Sequence, residues 1–541
     1  MKQFNWNNPY PTIRIPVFAR NVVSTSHPLA AQAGLRMLLK GGSAVDAVIA
    51  AAATIALVEP VSCGLGGDAF SIVWDGKTLQ GLNASGYAPD GWSPDYFKNK
   101  YGIGPNGLAQ APKRGVDAIT VPGVVAGWAA LHERYGKLPF ADLMVPAIEI
   151  AERGYAVPPV VAQKWAAAVP ELKDQPGFAH TFMPNGRAPN VGERFVFKDV
   201  AQTLRKIGAT KGRDLYEGDT AEKLVAFIRA NGGAHTMDDF RSYRPDWVTP
   251  ISKNYRGYTL HEIPPNGQGI SALMALGMLE HFDLASLKVD SVESQHIQIE
   301  AMKLAMADLY RYVADPRTME VTPAQMLDDA YLASRAKLIN PSRATLFPPG
   351  NPSSGGTIYL TAADENGMMV SFIQSNYMGF GSGVVVPGTG VSFQNRGVGF
   401  SMDPKSANVV AGRKRPFHTI IPGFLTKGGE PVMSFGVMGG DIQPQGHVQT
   451  VVRMLDYDQQ PQAACCAPRW KLNRDFTLDV ESSMRAQTIE GLKGLGHTLK
   501  AIDDPYMDFG SGQFIWRLSR DLEDGYVVAS DSRRDGQAVG F

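Results

Sequence analysis

Cysteine is scarce. Three in 541 residues, with Cys465 and Cys466 adjacent and Cys63 alone, cannot staple a disulfide scaffold and show no C-x-x-C metal-ligand spacing. So few suit a reducing compartment. Net charge is missing as well. The 52 Lys+Arg balance 52 Asp+Glu, so the totals give no electrostatic footprint for nucleic acid or an anionic membrane. Long apolar runs are absent. The longest, Ala44 to Val58, contains Asp46 and is too short to span a bilayer. The stretch from Met1 to Pro11 is polar and proline-broken, without the basic and apolar regions of a secretory signal. The expectation is a soluble, cytoplasmic protein with no nucleic-acid and no membrane partner.

Familiar chemical signatures are also missing. Gly76-Lys77-Thr78 ends like a phosphate loop, but Ser71 stands where its first glycine belongs. There is no G-x-S-x-G elbow, and His261-Glu262 does not continue into a zinc motif. The glycine turn Gly64-Leu65-Gly66-Gly67 precedes a strand instead of opening a helix, which argues against a dinucleotide fingerprint.

What is present is a well-stocked core, 44% hydrophobic against 19% charged, on a chain long enough for several packing units. Ser26 is positioned to cap a first helix through Leu38, stopped at Gly41-Gly42, and Ser43 to cap an alanine-rich second helix, apolar on nearly every face and hence buried. Ala69 to Trp74 reads as a strand with a hairpin turn at Asp75-Gly76. Helical patterns dominate from about 124 to 338. A Pro/Gly/Ser linker over 346–356 then meets the strand Thr357–Ala363, a turn at Asp364–Gly367 and a second strand from Met368 to Ser375. Segregated helices and strands predict α+β layering.

The chemistry concentrates at Gly356-Thr357. A threonine hydroxyl needs a base to become a nucleophile. A cut before Thr357 would supply one, because its new α-amine titrates near working pH. Gly-Thr opening a strand is ordinarily structural, so the pair carries little alone. Ser375 ends the partner strand, where it would orient the Thr357 hydroxyl. Gly379-Phe380-Gly381-Ser382-Gly383 is a turn permitting close backbone approach. Gly439 and Gly440 follow a strand and offer the paired backbone amides an oxyanion hole requires.

At these residues the chain resembles the γ-glutamyltransferase family of N-terminal-nucleophile hydrolases. The resemblance runs nearly end to end, through Gly41-Gly42-Ser43-Ala44-Val45-Asp46-Ala47, Gly66-Gly67, Val121-Pro122-Gly123, Leu215-Tyr216-Glu217-Gly218, Pro264-Pro265-Asn266-Gly267-Gln268-Gly269, Lys414-Arg415-Pro416, Ala467-Pro468-Arg469 and Ser530-Asp531-Ser532-Arg533. It implies a four-layered αββα proenzyme that cuts itself at Gly356–Thr357 into associated chains of 356 and 185 residues, one intertwined catalytic unit, with a homodimer of processed units compatible with it. It implies Thr357 as nucleophile, Ser375 as supporting hydroxyl, Gly439 and Gly440 as oxyanion hole, and no metal or organic cofactor. The acyl group would pass through a threonine ester to water or an amine.

The binding positions depart from the family pattern. Ser85 replaces the arginine that grips the α-carboxylate in glutathione-cleaving members, and Gly399 the acid that holds the α-ammonium. His418 and Thr419 stand where serines flank the glutamyl group. Tyr377 replaces the polar residue of a Thr-x-Asn pair, with Asn376 as its substitute. Arg396 or His418 is therefore expected to grip a carboxylate on a smaller substrate lacking the α-ammonium. A structural ion pair is the competing role for Arg396. The style of Phe417-His418-Thr419 and Met438–His447 is similar to the branch holding oxamate amidohydrolase and glutaryl-type acylases, with Asp441, Gln443 and His447 either supporting the site or packing. The expected partner is a small amide bearing a carboxylate, γ-glutamyl or oxamate-like. A catalytically silent, unprocessed binding protein of the same fold is the competing class.

Overall fold

The computed structural model describes residues 12–345, 356–504 and 509–541. Most of the expected linker, 346–355, lies outside the described residues.

Two seven-stranded antiparallel sheets stand face to face among the described residues. The first runs in the order Gln537–Gly540, Val22–Thr25, Gly356–Ala363, Met369–Tyr377, Asp68–Trp74, Leu79–Ala84, Asp246–Val248. The second runs Val17–Ala19, Tyr526–Ser530, Ser511–Arg517, Glu430–Met438, Gly423–Lys427, Tyr258–Glu262, Ile251–Tyr255. The facing surfaces meet closely. Thr361 Oγ1 lies 2.7 Å from Ser434 Oγ, and a Cβ on Gly436 would come within 2.4 Å of the Tyr359 ring. The outer face of the first sheet carries the helices Pro28–Leu39, Ala44–Val58, Val124–Tyr135 and Phe140–Arg153, packed into one apolar cluster. The second carries Ile270–Leu279, Val292–Tyr312 and Ile442–Leu455 in another. The layers are thus helix, sheet, sheet, helix, the expected αββα sandwich.

Local chemistry explains the frame. Ser43 caps the alanine-rich helix in a capping box with Asp46, and all of its residues are buried. The cap of the preceding helix is His27, not Ser26. His27 Nδ1 accepts from the Leu29 amide, while the Ser26 hydroxyl donates to Glu59 at 2.7 Å. Glu59 is buried and needs its hydrogen bonds. The helical middle is likewise interrupted. Asp246–Val248, Ile251–Tyr255 and Tyr258–Glu262 are strands, because they add edges to the two sheets. Among the described residues no helix is long and apolar enough to cross a membrane.

Several sequence blocks without obvious chemistry turn out to be structural. Arg533 binds Glu481 through Nε at 2.7 Å and Nη2 at 2.6 Å, and Asp531 through Nη1 at 3.1 Å. Arg469 reaches Asp531 Oδ2 at 2.9 Å. All four side chains are buried. Breaking such a cluster leaves an uncompensated charge, so Arg533→Met should lower unfolding stability by about 3–5 kcal/mol, read as a lower denaturant midpoint.

Candidate active site

The first sheet delivers Thr357 and Ser375 to one another. Gly356 pairs with Tyr377 but Ile358 pairs with Gln374, a register shift that sets Thr357 against both Ser375 and Asn376. Thr357 Oγ1 lies 3.4 Å from Ser375 Oγ, and Ser375 Oγ accepts the Tyr377 amide at 2.7 Å. Gly356 and Thr357 open the strand Gly356–Ala363.

The second sheet delivers the glycine pair. After Met438 the backbone turns through Gly439 at φ +135° and Gly440 at φ +75°, conformations open to glycine and unfavourable to other residues. The turn ends at the N-terminus of the helix Ile442–Leu455, whose dipole favours negative charge there. The Gly440 carbonyl is held by Gln268 Nε2 at 2.9 Å and by the Gln443 amide at 3.2 Å. Among the described residues neither the Gly439 nor the Gly440 amide donates to a backbone acceptor outside the regular ladders. The pair has the form of an anion hole. Gln443 then reaches Thr357 itself, donating from Nε2 to Oγ1 at 3.2 Å.

Behind this pair sits a buried cation. Arg396 is 1% exposed. Its Nη1 donates to Thr419 Oγ1 at 2.9 Å and its guanidinium lies 4.4 Å from the Tyr377 ring centroid. Nε and Nη2 have no hydrogen-bond partner. Burial draws its pKa down to about 10, with Asp68 opposing the shift, so it is cationic at neutral pH. It makes no ion pair among the described residues. The structural alternative considered from sequence is therefore absent there.

His418 is differently placed. Its Nδ1 faces the Ile420 amide at 3.4 Å and its Nε2 meets Asp68 Oδ2 at 3.1 Å. Burial, then the Arg396 and Arg415 charges, hold His418 well below the ordinary histidine range. It is a neutral imidazole with both nitrogens committed, donating to Asp68. Burial pushes Asp68 up to about 7, against the pull of Arg396 and the Gly86 amide. Above that pH a second negative charge shares the field of Arg396. A carboxylate inhibitor such as glutarate should therefore bind more weakly as pH rises from 6 to 8, by roughly threefold to tenfold. The Asp68→Asn variant, compared with the parent by calorimetry, should lose that part of the dependence.

The departures noted in the sequence now have physical content. A Cβ on Gly399 would stand 2.5 Å from the Phe417 carbonyl oxygen, so no acidic side chain fits there without a shift of backbone. Ser85 is tied to Asn83 at 2.7 Å and to Asn266 at 3.2 Å. Asn376 is buried with its side-chain Nδ2 and Oδ1 unpartnered among the described residues. Its side chain lies against Gly64 and Gly67, where added Cβ atoms would meet it at 3.0 Å. Tyr377, at φ +75°, instead lines a cavity of about 630 Å³ together with Gly399, Phe417 and Arg474.

Two contributors carried no local signal. Asp68 lies in the glycine-turn block but meets His418 only in the fold. Arg474 binds Asp441 through Nε at 2.7 Å and Nη2 at 2.8 Å, fixing the residue after Gly440 from 33 positions away. His447 faces Glu262 at 2.6 Å rather than Thr357. One cluster elsewhere has the proximity of a metal site: His296, Glu300 and His497 bring ligand atoms within 4.8 Å of one another. Those atoms are already engaged. His296 Nδ1 and His497 Nε2 share a hydrogen bond of 2.7 Å, and the Lys303 ammonium lies 2.7 Å from Glu300 and 3.3 Å from His497. An ammonium bonded to two members of the set repels a cation there.

Comparison with known proteins agrees with this geometry. The family model described as Gamma-glutamyltranspeptidase matches residues 30–541. A Bacillus subtilis protein called glutathione hydrolase-like YwrD proenzyme is 37% identical, over 96% of this chain and 98% of that one. The oxamate amidohydrolase proenzyme of Klebsiella pneumoniae is 34% identical, over 95% and 97%. The crystal structure of cephalosporin acylase from Bacillus halodurans superposes with a TM-score of 0.94 at 45% identity, covering 100% of this chain and 99% of that one. The chain thus belongs to the gamma-glutamyltranspeptidase family, enzymes with the N-terminal-nucleophile hydrolase fold that act on amide bonds.

Proposed function

We propose that this chain matures by cutting itself at Gly356–Thr357 and then hydrolyses the amide of a small acyl group that carries a carboxylate but no α-ammonium. Thr357 is the nucleophile, its freed α-amine the base, Ser375 the hydroxyl that orients it, and Gly439 and Gly440 the donors to the tetrahedral oxyanion. The two chains stay together because the first sheet interleaves strands from both sides of the cut.

The observation that carries the substrate reading is Arg396, a buried guanidinium with two nitrogens unpartnered. A buried cation with open donors is complementary to a carboxylate. The ammonium side has no counterpart, since Gly399 leaves no room for an acid. An oxamate amidohydrolase among the relatives supports the same class.

A panel tests this. Product release is measured from oxamate, an N-glutaryl anilide and a γ-glutamyl anilide. The reading expects turnover of one of the first two, at a kcat/KM at least about tenfold above the γ-glutamyl compound, the discrimination for about 1.4 kcal/mol. A preference for the γ-glutamyl anilide would contradict it.

A further inference from the structure

Gln443 occupies the first turn of the helix Ile442–Leu455 and is fully buried. Its amide makes two contacts of opposite polarity. Oε1 accepts the Ile421 backbone N–H at 3.0 Å, and Nε2 lies 3.2 Å from Thr357 Oγ1. The first contact fixes the second. A backbone N–H can only donate, so the carboxamide oxygen faces Ile421 and its NH₂ faces Thr357. The flip ambiguity of a glutamine side chain is thereby removed. Thr357 Oγ1 sits between a committed donor and the Ser375 hydroxyl at 3.4 Å.

We propose that Gln443 is a further catalytic residue, an N–H donor to the nucleophilic oxygen itself, distinct from the glycine amides that serve the carbonyl oxygen. The proposal rests on the Thr357 reading. In self-cleavage the Thr357 O–H proton ends on the Thr357 nitrogen. The Oγ1–carbonyl bond to Gly356 forms as the peptide C–N bond breaks, and water then hydrolyses the ester. In turnover the α-amine takes the Oγ1 proton, the Oγ1–acyl bond forms, and the proton leaves with the departing amine. Water then attacks the ester, gives its proton to the α-amine, and Oγ1 departs and is reprotonated. In each of these steps Oγ1 gains negative charge before bonding or on leaving. A fixed, dry N–H dipole at 3.2 Å stabilises that charge without reorganisation. A free threonine hydroxyl is otherwise a poor nucleophile.

The test uses the full chain with Gln443→Met and Gln443→Glu, following precursor cleavage, kcat, KM and thermal melting from pH 5 to 9. Removing one such donor is expected to slow both cleavage and kcat by roughly 10- to 100-fold, somewhat below the loss for an oxyanion-hole donor, with KM within about twofold because the contact is to the enzyme's own oxygen. In Gln443→Glu the carboxylate accepts from Ile421 but repels a developing alkoxide. Its rate relative to the parent should therefore be lowest at high pH and recover as the carboxyl group protonates and regains a donor. A purely packing role moves melting without that recovery. Wild-type rates in folded Gln443→Met would overturn the proposal, as would a folded Gln443→Glu whose relative rate is independent of pH. Should the methionine variant fail to fold, the pH profile of the glutamate variant decides alone. An active Thr357→Ala variant would instead overturn the nucleophile reading, a separable failure.

Discussion

Thr357→Ala should remain a single chain and release no product, with turnover reduced by roughly 10⁴- to 10⁶-fold, the scale on which losing a nucleophile acts. The reason is that one oxygen serves both events. Thr357 Oγ1 is the atom placed against Ser375 and Gln443. The substitution removes the hydroxyl and the γ-methyl but keeps Cβ and the backbone of the strand Gly356–Ala363, so the fold should persist. Melting should accordingly stay close to the parent. Electrophoresis reads the first outcome and a fixed-substrate assay the second. A variant that still divides into two chains contradicts self-cleavage by Thr357, and one that stays whole yet turns over substrate contradicts the need for a freed α-amine.

The second large effect is expected at Arg396. Replacing it with methionine should raise KM for the carboxylate substrate by about 2–3 kcal/mol, or roughly 30- to 150-fold, while kcat on a neutral analogue is nearly unchanged. The lysine variant should recover part of the loss, because an ammonium supplies the charge but not the planar fork. Stability should move the other way. In the free protein this guanidinium is buried with Nε and Nη2 unpartnered, a burden on folding that a hydrophobic side chain relieves. Arg396→Met should melt no lower than the parent. A structural arginine would show the reverse, lower melting with KM unchanged.

Much of this was written in the chain, and the remainder shows what sequence withholds. The closeness of Thr357 and Ser375 was legible because they end the two strands of one hairpin, and the glycine pair because it follows another strand; the roles given to Thr357, Ser375, Gly439 and Gly440 came from the family resemblance. The layered architecture was legible from segregated helices and strands. The strands at Asp246–Val248, Ile251–Tyr255 and Tyr258–Glu262 were hidden within helical surroundings, since their sheet partners lie far away in sequence. The role of His418 was hidden for the same reason. Its commitment to Asp68, 350 residues earlier, is a tertiary fact. Asn376 was named because it neighbours Ser375; its closeness to Gly64 and Gly67, more than 300 residues earlier, was not legible. Arg474 had no signal at all, being defined only by where Asp441 comes to rest.

The central claim is that Thr357 becomes an N-terminus, and the intact mass of the purified protein under denaturing conditions tests it most directly. The account predicts two species of 356 and 185 residues meeting at Gly356–Thr357, less any residues trimmed from the outer ends. A single 58.5 kDa mass in protein that turns over substrate, or a cut at any other bond, would contradict it.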